Sequence, residues 1–299
     1  MTAPTRTGEL CWPAELADFA SRVLGPCRLI ADLSWPYEGS EVYRIRDAHG
    51  VDHILKRLIN DRFFRMEVDG YQWAPALGAG RAPRLEVADE DLLAVIVTFL
   101  PGRPMLGEID PAIEIPAYRQ VGELLALLHA SRPATSETAV LERLLERADG
   151  QLAKAADELT AAQHALARRA AAVLTDLTPD LSAVPTHGDL QARNVLLDPS
   201  TATVALIDFE RAALAPAVRD LVRLEPGVLR RPELRAAFYD GYGRDLDPAG
   251  QHALRAWVVL DSVSALAWGI PNGDTEIVQR ARAALADRRF TDLDQDQAW

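Results

Sequence analysis

Thr186-His187-Gly188-Asp189-Leu190-Gln191-Ala192-Arg193-Asn194-Val195-Leu196-Leu197-Asp198, followed by Leu206-Ile207-Asp208-Phe209-Glu210, is the stretch around which the rest of the 299-residue chain is read. It sets a carboxylate, Asp189, and a carboxamide, Asn194, five residues apart in a short loop. It then runs into apolar residues and returns a second carboxylate, Asp208, at the end of a predicted strand. Asp198-Pro199-Ser200 between the two apolar runs reads as the turn of a hairpin, which brings Asp208 back beside Asn194. The hard oxygen donors of Asn194 and Asp208 suit magnesium, which takes few protein ligands and completes its shell with phosphate oxygens and water. Asp189 is placed to orient a hydroxyl or accept its proton. Together these are the minimum equipment for metal-assisted phosphoryl transfer.

The spacing His-x-Asp-Leu-x-x-x-Asn matches the catalytic-loop signature of protein kinases, and Ile207-Asp208-Phe209 matches the start of their metal-binding Asp-Phe-Gly. Gly188 stands where protein kinases carry Arg, and Glu210 where they carry Gly. With these two departures the pair resembles the aminoglycoside phosphotransferase family, small-molecule kinases that share the protein-kinase fold with choline and fructosamine kinases. Residues from about 39 to 220 match that pattern.

The resemblance implies an α+β, protein-kinase-like bilobal fold: a small N-terminal antiparallel sheet plus helix, and a larger, mostly helical C-terminal lobe. It assigns residues 1–100 to a nucleotide-binding lobe and 101–299 to a catalytic and substrate-binding lobe. Asp189 becomes the catalytic carboxylate and Asn194 and Asp208 the metal ligands, with ATP or GTP and Mg2+ as cofactors. His187 supports the catalytic loop from within, and Asp220 braces it as the family's structural aspartate. The role of Arg193, where the family often has a small residue, stays open.

Upstream, residues 12–24 space apolar positions at helical intervals and end at Gly25-Pro26. Residues 28–33, 41–47 and 51–58 are short Val-, Ile- and Leu-rich runs separated by turn-forming residues 35–40 and 47–50, an antiparallel meander. In the kinase-like reading Gly39 and Ser40 form the tip of a loop over the nucleotide phosphates, although a plain hairpin turn would look the same. Lys56 and Arg57 are neighbours on one strand, so only one of them points into the cleft, and the family pattern favours Lys56 as the phosphate-bridging lysine. Its expected partner is Glu67 on the helix predicted over 61–77, with Asp69 and Asp61 as rivals. Residues 82–87 and 92–99 complete the sheet, Leu100-Pro101-Gly102 breaks it, and the backbone at Thr98 and Leu100 is expected to meet the base.

Helices are predicted over 118–130, 137–147 and the alanine-rich 152–177, with further helical runs from 232 to 290 and a loose tail beyond. His129 and His164 read as packed or surface histidines. A net charge of −12 argues against nucleic acid or an anionic membrane as partner and is compatible with a cationic small molecule. The two cysteines, Cys11 and Cys27, do not make a disulfide framework, no run reaches transmembrane length and no secretion signal is present, so a cytoplasmic location is expected.

Only about ten residues separate Asp208 from Asp220, too few for an activation segment that docks a peptide, which favours a small-molecule acceptor. Glu210, Asp261 and Asp274 are candidates to meet ammonium groups, and Trp257 or Trp268 to stack on a ring. The expected activity is O-phosphorylation of an antibiotic. The alternatives are a metabolite kinase acting on a choline-, sugar- or fructosamine-like compound, a non-catalytic nucleotide-binding scaffold, and a metallohydrolase, which would want more histidines near its carboxylates than His187.

Overall fold

Val42, Ile45, Ile54 and Leu55 lie on two strands that pair in antiparallel register, Tyr43 opposite Leu55 and Ile45 opposite His53. The alternation of side chains gives this ribbon two unlike faces. One face packs against the N-terminal helix through Leu16, Phe19, Ala20, Tyr43, Ile45, Leu55, Ala94 and Ile96. The other carries Lys56. The computed structural model describes residues 12–35, 39–136, 138–154 and 156–293. Cys11, the turn residues 36–38, Glu137, Ala155 and the tail from 294 onward lie outside them.

In chain order the elements are α1 (Ala14–Leu24), β1 (Cys27–Asp32), β2 (Glu41–Asp47), β3 (Asp52–Arg57), α2 (Asp61–Trp73), β4 (Leu85–Asp89), β5 (Ala94–Thr98) and β6 (Arg103–Pro104). There follow α3 (Pro111–His129), α4 (Thr138–Lys154), α5 (Ala161–Leu177), β7 (Ala183–Thr186), β8 (Val195–Asp198), β9 (Thr203–Leu206) and β10 (Ala213–Pro216). The chain closes with α6 (Pro232–Tyr242), α7 (Pro248–Gly269), α8 (Thr275–Ala286) and α9 (Arg288–Thr291).

The chain forms two compact units, residues 1–117 with 192–213, and residues 118–191 with 214–299. The sequence reading cut the chain at residue 100; the first unit instead keeps the chain to 117 and takes back the hairpin that follows the catalytic loop. It contains a five-stranded antiparallel sheet in the order β1-β2-β3-β5-β4 and a three-stranded one in the order β6-β8-β9. Met105 N–H, just past β6, donates to the carbonyls of Ala192 and Val195 at 3.1 and 2.9 Å, which fixes the start of the hairpin.

The second unit is helical apart from the β7–β10 pair. Its centre is α7, whose residues 253–260 are all buried, with α4, α5 and α8 packed against it. The helix read as continuous over 152–177 is broken: α5 starts at Ala161 because Thr160 and Gln163 form a capping box, each side chain satisfying the other's backbone. The helix predicted from 118 starts at Pro111, where Asp110 accepts from Ala112 N–H at 2.9 Å and proline occupies a first-turn position that needs no N–H.

Candidate active site

Lys56 is held by three carboxylates within the first unit. Its Nζ lies 3.0 Å from Glu67 Oε2, 2.5 Å from Asp208 Oδ1 and 3.2 Å from Glu210 Oε2. Lys56 is 6% exposed and Glu67 is fully buried. Burial opposes the charge on Lys56, but Asp208, Glu67 and Glu210 outweigh it and hold the ammonium well above the usual lysine range. Burial likewise pushes Glu67 up to about 7, against the pull of Lys56. The neighbouring Arg57 faces the other way and pairs with Glu41 and with Glu15 of α1.

Local geometry delivers each of these groups. Asn60 caps α2 by accepting from Phe63 N–H at 3.0 Å, which starts the helix about two turns before Glu67. Gly70 lets α2 come against the Asp-Phe-Glu segment: a Cβ there would lie 2.5 Å from Phe209 Cβ and 2.8 Å from Ala212 Cβ. Phe209 is fully buried, with its ring 5.4 Å from that of Tyr71. Asp208 adopts φ 71°, a left-handed conformation that aspartate tolerates better than most residues. Ile207 N–H donates to the Asn194 carbonyl at 3.0 Å, so the hairpin sets Asp208 next to Asn194, which is 4% exposed.

Ser40 donates its hydroxyl to Glu210 Oε2 at 2.8 Å, which ties the predicted phosphate loop to the Lys56 cluster. Gly39 precedes it at a bend. Thr98 ends β5 with Oγ1 accepting from Arg84 N–H at 2.9 Å, and Leu100 follows it. The guanidinium of Arg193 lies 5.3 Å from the centroid of the Trp35 ring.

Asp189 belongs to the second unit and is 1% exposed. Its loop is braced by Asp220, whose Oδ2 accepts from His187 N–H at 2.9 Å and whose Oδ1 accepts from Gly188 N–H at 2.6 Å. Gly188 sits at φ 76°, where a side chain would be strained. His129 Nε2 reaches Asp220 Oδ2 at 3.0 Å, and its Nδ1 reaches the Tyr242 hydroxyl at 2.9 Å. Burial alone would raise the Asp220 carboxyl. The hydrogen bond and charge of His129, the charge of His187 and the Gly188 N–H more than offset it and hold Asp220 below the usual aspartate range.

Asp189 Oδ1 accepts from Gln191 Nε2 at 2.7 Å and is ion-paired with Arg223. Arg223 also grips Asp261 with Nε and Nη2 at 3.2 and 3.3 Å. Asp261 is therefore engaged by a guanidinium, and Glu210 by Lys56 and Ser40. Trp257 is buried beneath Arg219, 4.4 Å from guanidinium to ring centroid. Trp268 is half-buried near the end of α7, and Asp274 caps α8 by accepting from Ile277 N–H at 3.0 Å. The sequence reading missed Arg223, Gln191, Arg280 and His129 as members of this neighbourhood. Arg223, Arg280 and His129 carry no local signal, because each acts through a partner distant in sequence, whereas Gln191 lies in the motif itself, two residues from Asp189.

Among the described residues no group of three or more His, Cys, Asp or Glu side chains is arranged to hold a metal ion, and no helix is long and apolar enough to cross a membrane.

The family model described as "Phosphotransferase enzyme family" matches residues 38–257. No curated protein sequence matches the chain. Solved structures share the fold. A macrolide 2'-phosphotransferase from Brachybacterium faecium is 20% identical, with 92% of this chain and 98% of that one covered at a TM-score of 0.58. A Thermobifida fusca protein provisionally named a fructosamine-3-kinase is 20% identical, with 91% and 98% covered at 0.61. A spectinomycin phosphotransferase in complex with AMP is 14% identical, with 95% and 98% covered at 0.59.

Proposed function

Since the chain belongs to the phosphotransferase enzyme family, we propose that it moves the γ-phosphoryl group of ATP or GTP to a hydroxyl of a small natural product, with antibiotics the first class to test. The observation that carries this reading is the convergence of Glu67, Asp208 and Glu210 on the single ammonium of Lys56. A buried lysine gripped by a buried glutamate and by the carboxylate that follows the catalytic hairpin is placed to reach phosphate oxygens beside a metal-binding aspartate.

In this reading Asp208 and Asn194 hold magnesium. When bound, the ion neutralises charge on the phosphate oxygens. Lys56 positions the phosphates while Glu67 fixes the lysine, and Ser40 with Gly39 covers them from the loop. Thr98 and Leu100 offer backbone groups to the base. Asp189 orients the acceptor hydroxyl. Phosphoryl transfer asks for positioning and electrostatic stabilisation more than for a strong base, and a carboxylate already bridged to Gln191 and Arg223 is suited to positioning. The short segment from Asp208 to Asp220 leaves no long peptide-docking loop and favours a small acceptor. A cytoplasmic location fits the need for nucleotide and the two cysteines.

A second reading, a metabolite kinase, draws on the likeness to the Thermobifida fusca protein. Nucleotide turnover with magnesium against macrolide, aminoglycoside, aminocyclitol and acidic antibiotics, together with choline, sugars and fructosamines, separates the two. Turnover on an antibiotic is expected, lost in Asp208→Asn. Robust turnover on a metabolite with none on any antibiotic selects the second reading. A phosphorylated protein substrate overturns both.

A further inference from the structure

The connection between β1 and β2 is anchored at its base before it reaches Ser40. Leu33 N–H donates to the Val42 carbonyl at 2.7 Å, Val42 N–H donates to Ser34 Oγ at 2.9 Å, and Ser34 N–H donates to Asp32 Oδ1 at 2.9 Å. Beyond this base each limb carries a tie to a residue far away in sequence. Trp35 on the incoming limb lies against the guanidinium of Arg193, 5.3 Å from the ring centroid. Ser40 on the outgoing limb donates its hydroxyl to Glu210 Oε2 at 2.8 Å.

Both ties end at the open end of the β8–β9 hairpin, which carries the proposed metal ligands. Arg193 directly precedes Asn194, and Glu210 follows Asp208 by two residues. The two limbs of the hairpin are themselves joined there, Ile207 N–H to the Asn194 carbonyl at 3.0 Å. Trp35 is 45% exposed, so core packing does not dictate its place, and an arginine over an indole face is a favourable contact even at an exposed position. A hydroxyl donated to a carboxylate is a strong, directional hydrogen bond. Lys56 Nζ lies 3.2 Å from the same Glu210 oxygen, so the Ser40 tie is also a tie to the lysine. With its hydroxyl committed to Glu210, Ser40 is left to meet an anion through its backbone, as the amides of a tight bend do.

Resting on the small-molecule kinase activity proposed above, we propose that the Trp35 and Arg193 pair and the Ser40 and Glu210 pair form a two-point strap that sets the phosphate loop against the metal-binding hairpin. Arg193 and Glu210 are then positioning residues for the nucleotide's phosphates, and Glu210 is no contact of the acceptor. The strap fixes in advance the spacing between the loop's amides and the Asn194 and Asp208 side chains, so that binding of the magnesium nucleotide does not have to order the loop. It acts on the phosphates and their metal; the base end at Thr98 and Leu100 takes no part in it.

Two double-mutant cycles test this by calorimetric titration of the full chain with magnesium-ATP or magnesium-GTP, whichever wild type binds, and with adenosine or guanosine to match. Ser40→Ala should weaken magnesium-nucleotide binding by about tenfold in wild type and scarcely at all in a Glu210→Leu background. Trp35→Leu should weaken it by about threefold in wild type and scarcely at all in an Arg193→Met background. Nucleoside affinity should stay at the wild-type value in all of these variants, a readout that damage to the fold would move.

Losses that add in either cycle overturn the inference, because the paired residues then act independently. So does magnesium-nucleotide affinity left unchanged by Ser40→Ala and Trp35→Leu. An equal loss of nucleoside affinity overturns it as well, since the contacts would then serve the whole lobe and not the phosphates. Failure of the kinase reading shows separately, as a wild type that binds neither magnesium-ATP nor magnesium-GTP.

Discussion

Around Lys56 three carboxylates share one ammonium; around Asp189 and Asp261 three guanidiniums face two carboxylates. One is built mainly of carboxylates, the other mainly of guanidiniums. Asp220 provides the contrast. Its oxygens are met by backbone N–H groups and His129, so it is satisfied by its own surroundings and reads as a brace. In the proposed function the carboxylate-rich cluster serves the nucleotide and its metal ion, and Asp189 of the other serves the acceptor hydroxyl.

The comparison breaks most severely at its first member. Lys56→Met leaves buried carboxylates without their cation and should cost about 3–5 kcal/mol of stability, read by urea unfolding; wild-type stability would show that the three carboxylates do not depend on the lysine. A smaller effect is expected where α2 meets the Asp-Phe-Glu segment. Gly70→Ala forces a Cβ against Phe209 and Ala212 and should cost about 1–3 kcal/mol as overpacking. It should also weaken magnesium-nucleotide binding by displacing Asp208. An unaltered melting temperature and affinity would mean that the segment shifts freely.

The smallest effect is a pH dependence. Burial raises Glu67 to about 7 in the folded state, so between the ordinary glutamate value near about 4.3 and that point the folded protein binds more protons than the unfolded chain. Stability from this group is full below the ordinary value and falls as pH rises through about 7. Melting temperatures from pH 5 to 8 should fall less steeply for Glu67→Gln than for wild type; parallel curves would remove Glu67 as the titrating group.

The loop and hairpin were legible because their chemistry is local in sequence: motif spacing gave Asp189, Asn194 and Asp208, and a turn between apolar runs gave β8 and β9. The sheet was legible for the same reason. The break before α5 was written in Thr160 and Gln163, but the alanine-rich composition around it hid the capping box. The start of α3 was likewise marked by Asp110 and Pro111 and overlooked. The two-residue β6 and the short β7 and β10 have no pattern of their own, since their pairing depends on the tertiary fold. The arginine cluster was illegible because Arg223 meets Asp189 and Asp261 only in three dimensions, each more than thirty residues away in sequence. Asp261 was read as a candidate to meet an ammonium group, and its contact with Arg223 had no trace in the sequence.

The most direct measurement is 31P nuclear magnetic resonance of wild type and Asp189→Asn with magnesium-ATP and the acceptor panel. The account predicts a new phosphomonoester resonance appearing with ADP in wild type, and a rate lower by about 10²–10⁴-fold in the variant with nucleotide affinity retained. Nucleotide left intact with every acceptor, or transfer undiminished by Asp189→Asn, would contradict it.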